Sequence, residues 1–504
     1  MWQEPSALPN VIVRISHSEF SELHMGLLKK IGSFGDVAAE QDAAVLSYFL
    51  KTDAVEKIES GSRLMVLGRK GSGKTALTKY FSESRGDYLS ESLSLTGYPW
   101  GLHQTKVNLG ASPIEAYVSS WRYLIALRAN ALLLKAAGGR FVRDSQRAAH
   151  AFFTDNYGGL NPSLADILRP KRLTFTKAAL RPTIMGNSVG ELNFESQDGS
   201  ISPDIDTITT VLIDNALTMC SQLGFKKVFL HFDELDQGLS EIDTNRQRML
   251  IGLVLAARTI AALSNNDCKL IPMVYLRTDL WDEMQFSDKN KISQSSAVLL
   301  EWNSETLKEL IDRRIETKLG SGFNWNDIDD GALMRGSQTK WNHIVARTFL
   351  RPRDVIQFLN YTLDYGLKFT QDADLFENTD IIAAREPYSR YLKQELDDEI
   401  VPHWPQWGET IQALSEMSTM TFTRSEFDSA WSKRKASKEK DSDVTLELLY
   451  QFSVIGYRRG IGTGGSGWTF QYTDPDTGWD NAATRLKVHS GLKEFAKLRE
   501  ERAQ

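Results

Sequence analysis

Eight residues, Gly68 to Thr75, read GRKGSGKT, and nothing else in the chain restricts the fold so tightly. The spacing is that of a Walker A phosphate loop, and its flanks agree: Arg63–Leu67 is a short apolar run of strand type, and Thr75–Phe81 reads as a helix. Gly68, Gly71 and Gly73 allow backbone conformations closed to residues with side chains, so successive amide N–H groups converge on phosphate oxygens. The helix starting near Lys74 adds the positive end of its dipole. In such a loop Lys74 neutralises the β- and γ-phosphates and the Thr75 hydroxyl ligates magnesium, with Ser72 and Ala76 completing the phosphate-contacting set.

A second signal, VFLHFDEL over Val228–Leu235, is an apolar strand ending in two adjacent carboxylates, the pattern of a Walker B element. Asp233 is expected to hold magnesium and Glu234 to orient and deprotonate an attacking water. Magnesium takes oxygen ligands and keeps several waters, so Thr75, Asp233 and phosphates suffice for it. His231, inside the strand, reads as a packed core histidine rather than a ligand.

Two weaker sets follow. A third strand, Leu270–Leu276, ends in Arg277-Thr278-Asp279, at the carboxyl end of the sheet where open α/β folds bind ligands. Arg277 there can stabilise transition-state charge and Thr278 or Asp279 orient water, or the three form a polar surface loop. FLRPRD, Phe349–Asp354, lies in a helical stretch; Arg351 and Arg353 are candidates to reach over the nucleotide from a lid, and Arg313 and Arg314 to act in cis or on a neighbouring subunit. For each arginine a structural salt bridge is the competing reading.

A chain of 504 residues exceeds the roughly 250–300 at which one core stops growing, so several domains are expected. The net charge of −6 gives no general attraction for nucleic acid or anionic lipid. Cys220 and Cys268 lack paired spacing and read as buried thiols in a reducing cytoplasm. Met1–Asn10 carries no signal-peptide pattern, and the most apolar run, Met249–Leu263, is broken by Arg258 and falls short of the roughly 20 residues that cross a bilayer. A soluble cytoplasmic protein without a membrane partner is the expectation.

Strands alternating with helices imply an α/β fold, a parallel sheet flanked by helices. We divide the chain into a helical lead-in (1–60), a P-loop core with a helical insertion at Ala116–Ala136 (61–303), a helical lid (304–375) and a winged-helix-like domain (376–504). Pro170–Pro203 reads as a long irregular loop. Strands are expected near Thr421–Thr423 and Trp468–Tyr472, with a Gly-rich turn at Gly460–Gly467. In the lead-in, Phe34 and Gly35 either contact the adenine base or belong to a packing turn.

With FGDVAAEQD, GRKGSGKT, FLHFDELD, VYLRTDLWD and FLRPRDVI in this order, the chain resembles the additional-strand P-loop ATPases of the AAA and STAND type over roughly residues 30–370. The resemblance implies a fold like that of origin-recognition and NACHT-like ATPases, ATP and Mg2+ as cofactors, and for some members a place in bacterial antiviral defence modules. A second-region arginine finger after the third strand is missing, so ring formation does not carry over; an oligomer of another kind stays open.

The expected activity is ATP hydrolysis driving a conformational switch. The rivals are a P-loop kinase and an ATP-stabilised scaffold with negligible turnover; the adjacent carboxylates favour the hydrolase. The run Trp431, Lys433, Arg434, Lys435, Lys438, Lys440 is the one dense basic stretch, interleaved with Glu439, Asp441, Asp443 and Glu447. A protein partner of the C-terminal domain is therefore preferred over DNA.

Overall fold

The computed structural model describes residues 26–94, 113–168, 173–175, 192–194, 203–235, 244–264, 267–460 and 466–500. Most of the Pro170–Pro203 loop and of the Gly460–Gly467 turn lies outside them, as does Met1–Asn10.

The centre is a five-stranded parallel sheet built from β1 (Met65–Gly68), β2 (Tyr88–Ser94), β5 (Lys227–Asp233), β6 (Lys269–Arg277) and β7 (Ala297–Leu299), in the order β2-β5-β6-β1-β7, while β3 (Leu173–Phe175) and β4 (Leu192–Phe194) pair antiparallel apart from it. Because successive strand side chains point to opposite faces, each strand feeds two cores. Val228, Leu230 and Phe232 join the helices Pro113–Ala136, Pro203–Leu223 and Thr244–Leu263 on one side. Phe229 and Tyr275 join the helices Asp53–Glu59 and Lys74–Ser82 on the other. Burial on both faces is why β5 and β6 are apolar almost without interruption.

Five strands replace the three read from sequence. β2 carries the sequence YLSESLS, too polar to stand out, and β7 is three residues at the sheet edge. The stretch from Ser304 to Phe369, expected to be helical throughout, breaks after Leu319 at Gly320 and Gly322, whose φ values of 110° and 95° an L side chain rarely adopts. It resumes as Lys340–Val345 and Pro352–Phe369.

A second apolar core joins the lid helices Ser304–Leu319 and Pro352–Phe369, the helix Asn378–Ile400, and everything after it. The boundary drawn at 375/376 falls between two helices that share this core. Beyond Ile400 come helices Trp407–Glu416, Arg424–Trp431 and Ser442–Gln451 with a four-stranded antiparallel sheet of β8 (Thr421–Thr423), β9 (Ile455–Gly460), β10 (Ser466–Thr469) and β11 (Arg485–Val488), ordered β10-β9-β11-β8, a winged-helix-like arrangement. The strand expected at Trp468–Tyr472 thus ends earlier.

The cysteine expectation is overturned: Cys220 and Cys268 form a disulfide with a Cα–Cα distance of 6.2 Å. Cys220 lies in the last turn of the helix preceding β5 and Cys268 directly precedes β6. Parallel pairing of β5 with β6 brings these two ends together, which a separation of 48 residues conceals. The inference of a reducing compartment from unpaired thiols falls with it. Among the described residues no helix is long and apolar enough to cross a membrane.

Candidate active site

The phosphate loop leaves β1 at Gly68 and turns into the helix Lys74–Ser82. Gly71 and Gly73 have φ of 79° and 98°, the left-handed region that the motif's glycines were expected to supply. Lys74 Nζ folds back to donate to the carbonyls of Gly68 at 2.8 Å and Arg69 at 3.0 Å. Trp302 Nε1 donates to the Ser72 carbonyl at 2.8 Å and so ties the loop to the start of the lid. Ser72 is buried, and a Cβ on Gly68 would collide with its hydroxyl. Thr75 and Ala76 sit, partly exposed, in the first turn of the helix.

Asp233 ends β5, two strands from the loop, with β6 between. Thr78 Oγ1 donates to Asp233 Oδ2 at 3.1 Å, and Asp233 Oδ1 accepts the Glu234 amide at 2.9 Å. Burial pushes the Asp233 carboxyl up, and the Glu234 amide, Lys74 and Thr78 draw it back. Glu234 has φ of 59°, a left-handed conformation costing about 1–3 kcal/mol for a non-glycine, which the Asp233 bond to its amide helps to hold. Its side chain is partly exposed while Asp233 is buried.

The β1–β6 register pairs Gly68 with Arg277, so β6 brings Arg277 beside the loop. Asp279 grips its guanidinium at 3.0 and 2.5 Å, and Thr278 opens the helix Thr278–Glu283. His231 bonds Tyr275 Oη at 2.9 Å and Ser90 Oγ at 3.0 Å; burial drives it down to about 3, so it is a neutral packed histidine.

From the lid, Arg353 lies on the loop. Its amide donates to the Gly71 carbonyl at 3.4 Å, and its Cβ would stand 2.9 Å from a Cβ on Gly71. Arg351, offered with it from sequence, does something else. It is 1% exposed, grips Asp354 at 2.9 and 3.0 Å and bonds Glu399 at 2.6 Å. Pro352 occupies the first helical turn and Asp354 also accepts the Phe349 amide at 3.0 Å, so RPRD is first a device for starting the lid helix. Arg351 is therefore structural.

Arg313 pairs with Glu316 on its own helix at 3.1 Å. Arg314 is buried, bonded to the Phe34 carbonyl and stacked over Tyr48, 4.1 Å from the ring centroid. Phe34 is 1% exposed in the lid core, and the Gly35 carbonyl and amide bond Asn360 and Ser33. Phe34 therefore packs in the lid core, and Arg314 and Asn360 hold the turn at Gly35.

Several residues escaped the sequence reading. Thr78, four residues after Lys74 and on its helix face, was accessible from helical spacing. Trp302 and the carboxylates Glu395, Asp398 and Glu399, more than 300 residues from the loop, carried no local signal. Lys70 bonds Asp398 at 2.9 Å and lies 3.3 Å from Glu395, which also pairs with Arg353 at 3.1 Å.

The basic run is only partly paired, and Lys435 and Lys438 are exposed. Lys433 and Arg434 share Glu416, Trp431 is buried, and Lys440 lies over Trp404. The helix Ser442–Gln451 presents Asp443, Val444 and Glu447 to solvent.

Residues 305–397 match the family described as the FunZ-associated C-terminal helical domain. The chain is 22% identical over 402 residues to an Escherichia coli (strain K12) protein named for transposon gamma-delta and its mass of 80.3 kDa; 74% of this chain and 52% of that protein are covered, so the chain spans about half its length. Among solved structures, the Aeropyrum pernix Orc1 protein in complex with DNA is 10% identical, with 97% of this chain and 95% of that one covered and a TM-score of 0.31. Cdc6p from Pyrobaculum aerophilum is also 10% identical, with 86% and 87% covered and a TM-score of 0.28. The fold assignment accordingly stands on the strand order and loop geometry of the chain itself.

Proposed function

We propose that the chain binds ATP with magnesium, hydrolyses it, and passes the nucleotide state to its C-terminal part. One observation carries this: the GRKGSGKT loop and the Asp233-Glu234 pair end β1 and β5 on the same side of a parallel sheet, with β6 and Arg277 between them. Thr75 and Asp233 supply the oxygen donors that magnesium requires, and the ion would neutralise phosphate charge there. Lys74 and the loop amides bind the phosphates. Glu234 takes a proton from water as its oxygen attacks the γ-phosphorus and the β–γ bridging bond breaks, leaving ADP and phosphate. The same adjacent carboxylates argue against a kinase, which needs an acceptor pocket in place of an activated water. Lys74→Ala should weaken ATP binding by about 1.5–3 kcal/mol, roughly ten- to hundredfold, since it deletes a charge-assisted contact. Titration of the folded variant with ATP checks this; unchanged affinity would remove the loop from the site.

For the C-terminal part we favour a protein partner. The Ser442–Gln451 helix, third in the winged-helix order, shows solvent Val444, Glu447 and an Asp443 paired with Arg424, and so presents no cation of its own to a phosphate backbone. Changing Lys433, Arg434 and Lys435 together to Ala should leave the salt dependence of any DNA binding unaltered. If each contacts a phosphate, the slope should instead fall by about 0.9 per residue, and the protein-docking reading would give way. A defence setting rests on the motif resemblance alone.

A further inference from the structure

The carboxylates at the end of the helix Asn378–Ile400 stand against the cations of the phosphate loop. Glu395 Oε2 bridges Lys70 at 3.3 Å and Arg353 at 3.1 Å, with 14% of its side chain exposed. Asp398, 70% exposed, reaches Lys70 from the solvent side. Glu399, one step deeper, is fixed to Arg351. Despite these anions, Arg69 Nη1 and Arg353 Nε are buried without a hydrogen-bond partner among the described residues. Both belong to guanidinium groups beside the loop, so the cluster still lacks acceptors that phosphate oxygens would provide.

From this geometry we infer that Glu395 is an internal competitor of the nucleotide: its carboxylate occupies Arg353 and Lys70 in the empty protein, and the terminal phosphates of ATP displace it. The inference rests on the nucleotide-binding reading above and adds how that site is regulated. A carboxylate and a phosphate present similar planar oxygen pairs to a guanidinium, and Arg353 cannot serve both fully. Displacement acts on a helix whose last turns are already tied to the C-terminal part. Trp407 Nε1 bonds Asp397 Oδ1 at 3.0 Å, His403 lies 3.0 Å from Glu283 in the helix following Arg277, and Trp404 meets Trp431 edge-on at 5.8 Å. Release of Glu395 therefore loosens the junction into the winged-helix-like part, while Glu399–Arg351, which is buried and faces no loop phosphate, stays as the pivot.

The test uses the full chain and MgATP. Glu395→Gln keeps shape and removes the charge, so ATP should bind on the order of five- to tenfold more tightly, within the usual range of coupling between sites. Asp398→Asn, at an exposed position, should change affinity much less. Amide hydrogen exchange across 395–407 should rise on adding ATP to the wild type and be already raised in nucleotide-free Glu395→Gln. A Glu395→Gln protein that binds ATP with unchanged or weaker affinity, while the wild type binds and Lys74→Ala binds more weakly, overturns the competition and leaves the binding site standing. If wild type and Lys74→Ala both fail to bind ATP, the nucleotide-binding reading itself fails and the competition with it.

Discussion

Glu234→Gln is expected to slow ATP hydrolysis by about 10²- to 10⁴-fold while keeping ATP affinity near that of the wild type, because it removes a base and leaves the phosphate contacts in place. The structural ground is the division of labour at the end of β5. Asp233 is buried, accepts Thr78 and the Glu234 amide, and is the carboxylate assigned to magnesium; Glu234, at a left-handed residue, is partly exposed and is the one assigned to water. Glutamine preserves volume and the backbone turn, so a folding defect does not imitate the effect. Single-turnover hydrolysis and equilibrium titration on the same preparation separate the two roles. Equal loss of affinity and rate would mean that Glu234 holds the nucleotide or its metal, and the water would need another base.

The largest stability effect is expected at Arg351. Replacing it with Ala leaves Asp354 and Glu399 buried without their cation, and breaking such a pair typically costs about 3–5 kcal/mol. The pH dependence gives an independent signature. Burial pushes the Glu399 carboxyl up, but Arg351, Arg69 and Arg277 together pull it from 4.5 to about 2. A carboxyl depressed on folding stabilises the protein fully above its unfolded value and loses that contribution as the pH falls toward the folded one. Wild-type urea midpoints should therefore drop between pH 4.5 and about 2, and Glu399→Gln should flatten that part of the curve. An Arg351→Ala midpoint equal to that of the wild type at neutral pH would return Arg351 to the list of lid sensors. That change would also leave its bonds to Asp354 and Glu399 without energetic weight.

The two halves of the candidate site differ in how readable they were. Gly68–Thr75 and Asp233-Glu234 announce themselves because each function depends on a few neighbouring residues in one strand–loop or strand-end conformation, and local sequence encodes local conformation. Thr78 was within reach for the same reason. The roles of Arg351 and Arg353 were not separable: two arginines on either side of Pro352 have the same chemistry, and only the tertiary packing of the helix Asn378–Ile400 buries one against Glu399 and sets the other between Glu395 and Gly71. Phe34 had two readings in sequence, a base contact or part of a packing turn, because burial in the lid core depends on residues far along the chain.

What the amino-acid sequence determined by itself, then, is a parallel α/β core with a phosphate loop and an acidic strand end, since glycine spacing, apolar runs and paired carboxylates act over a few residues. Which strands lie beside which, the Cys220–Cys268 bond, and the carboxylates set against the loop were decided by tertiary structure. These are pairings between groups from tens to more than 300 residues apart. Their energy depends on distance and burial, and neither quantity exists until the chain has folded.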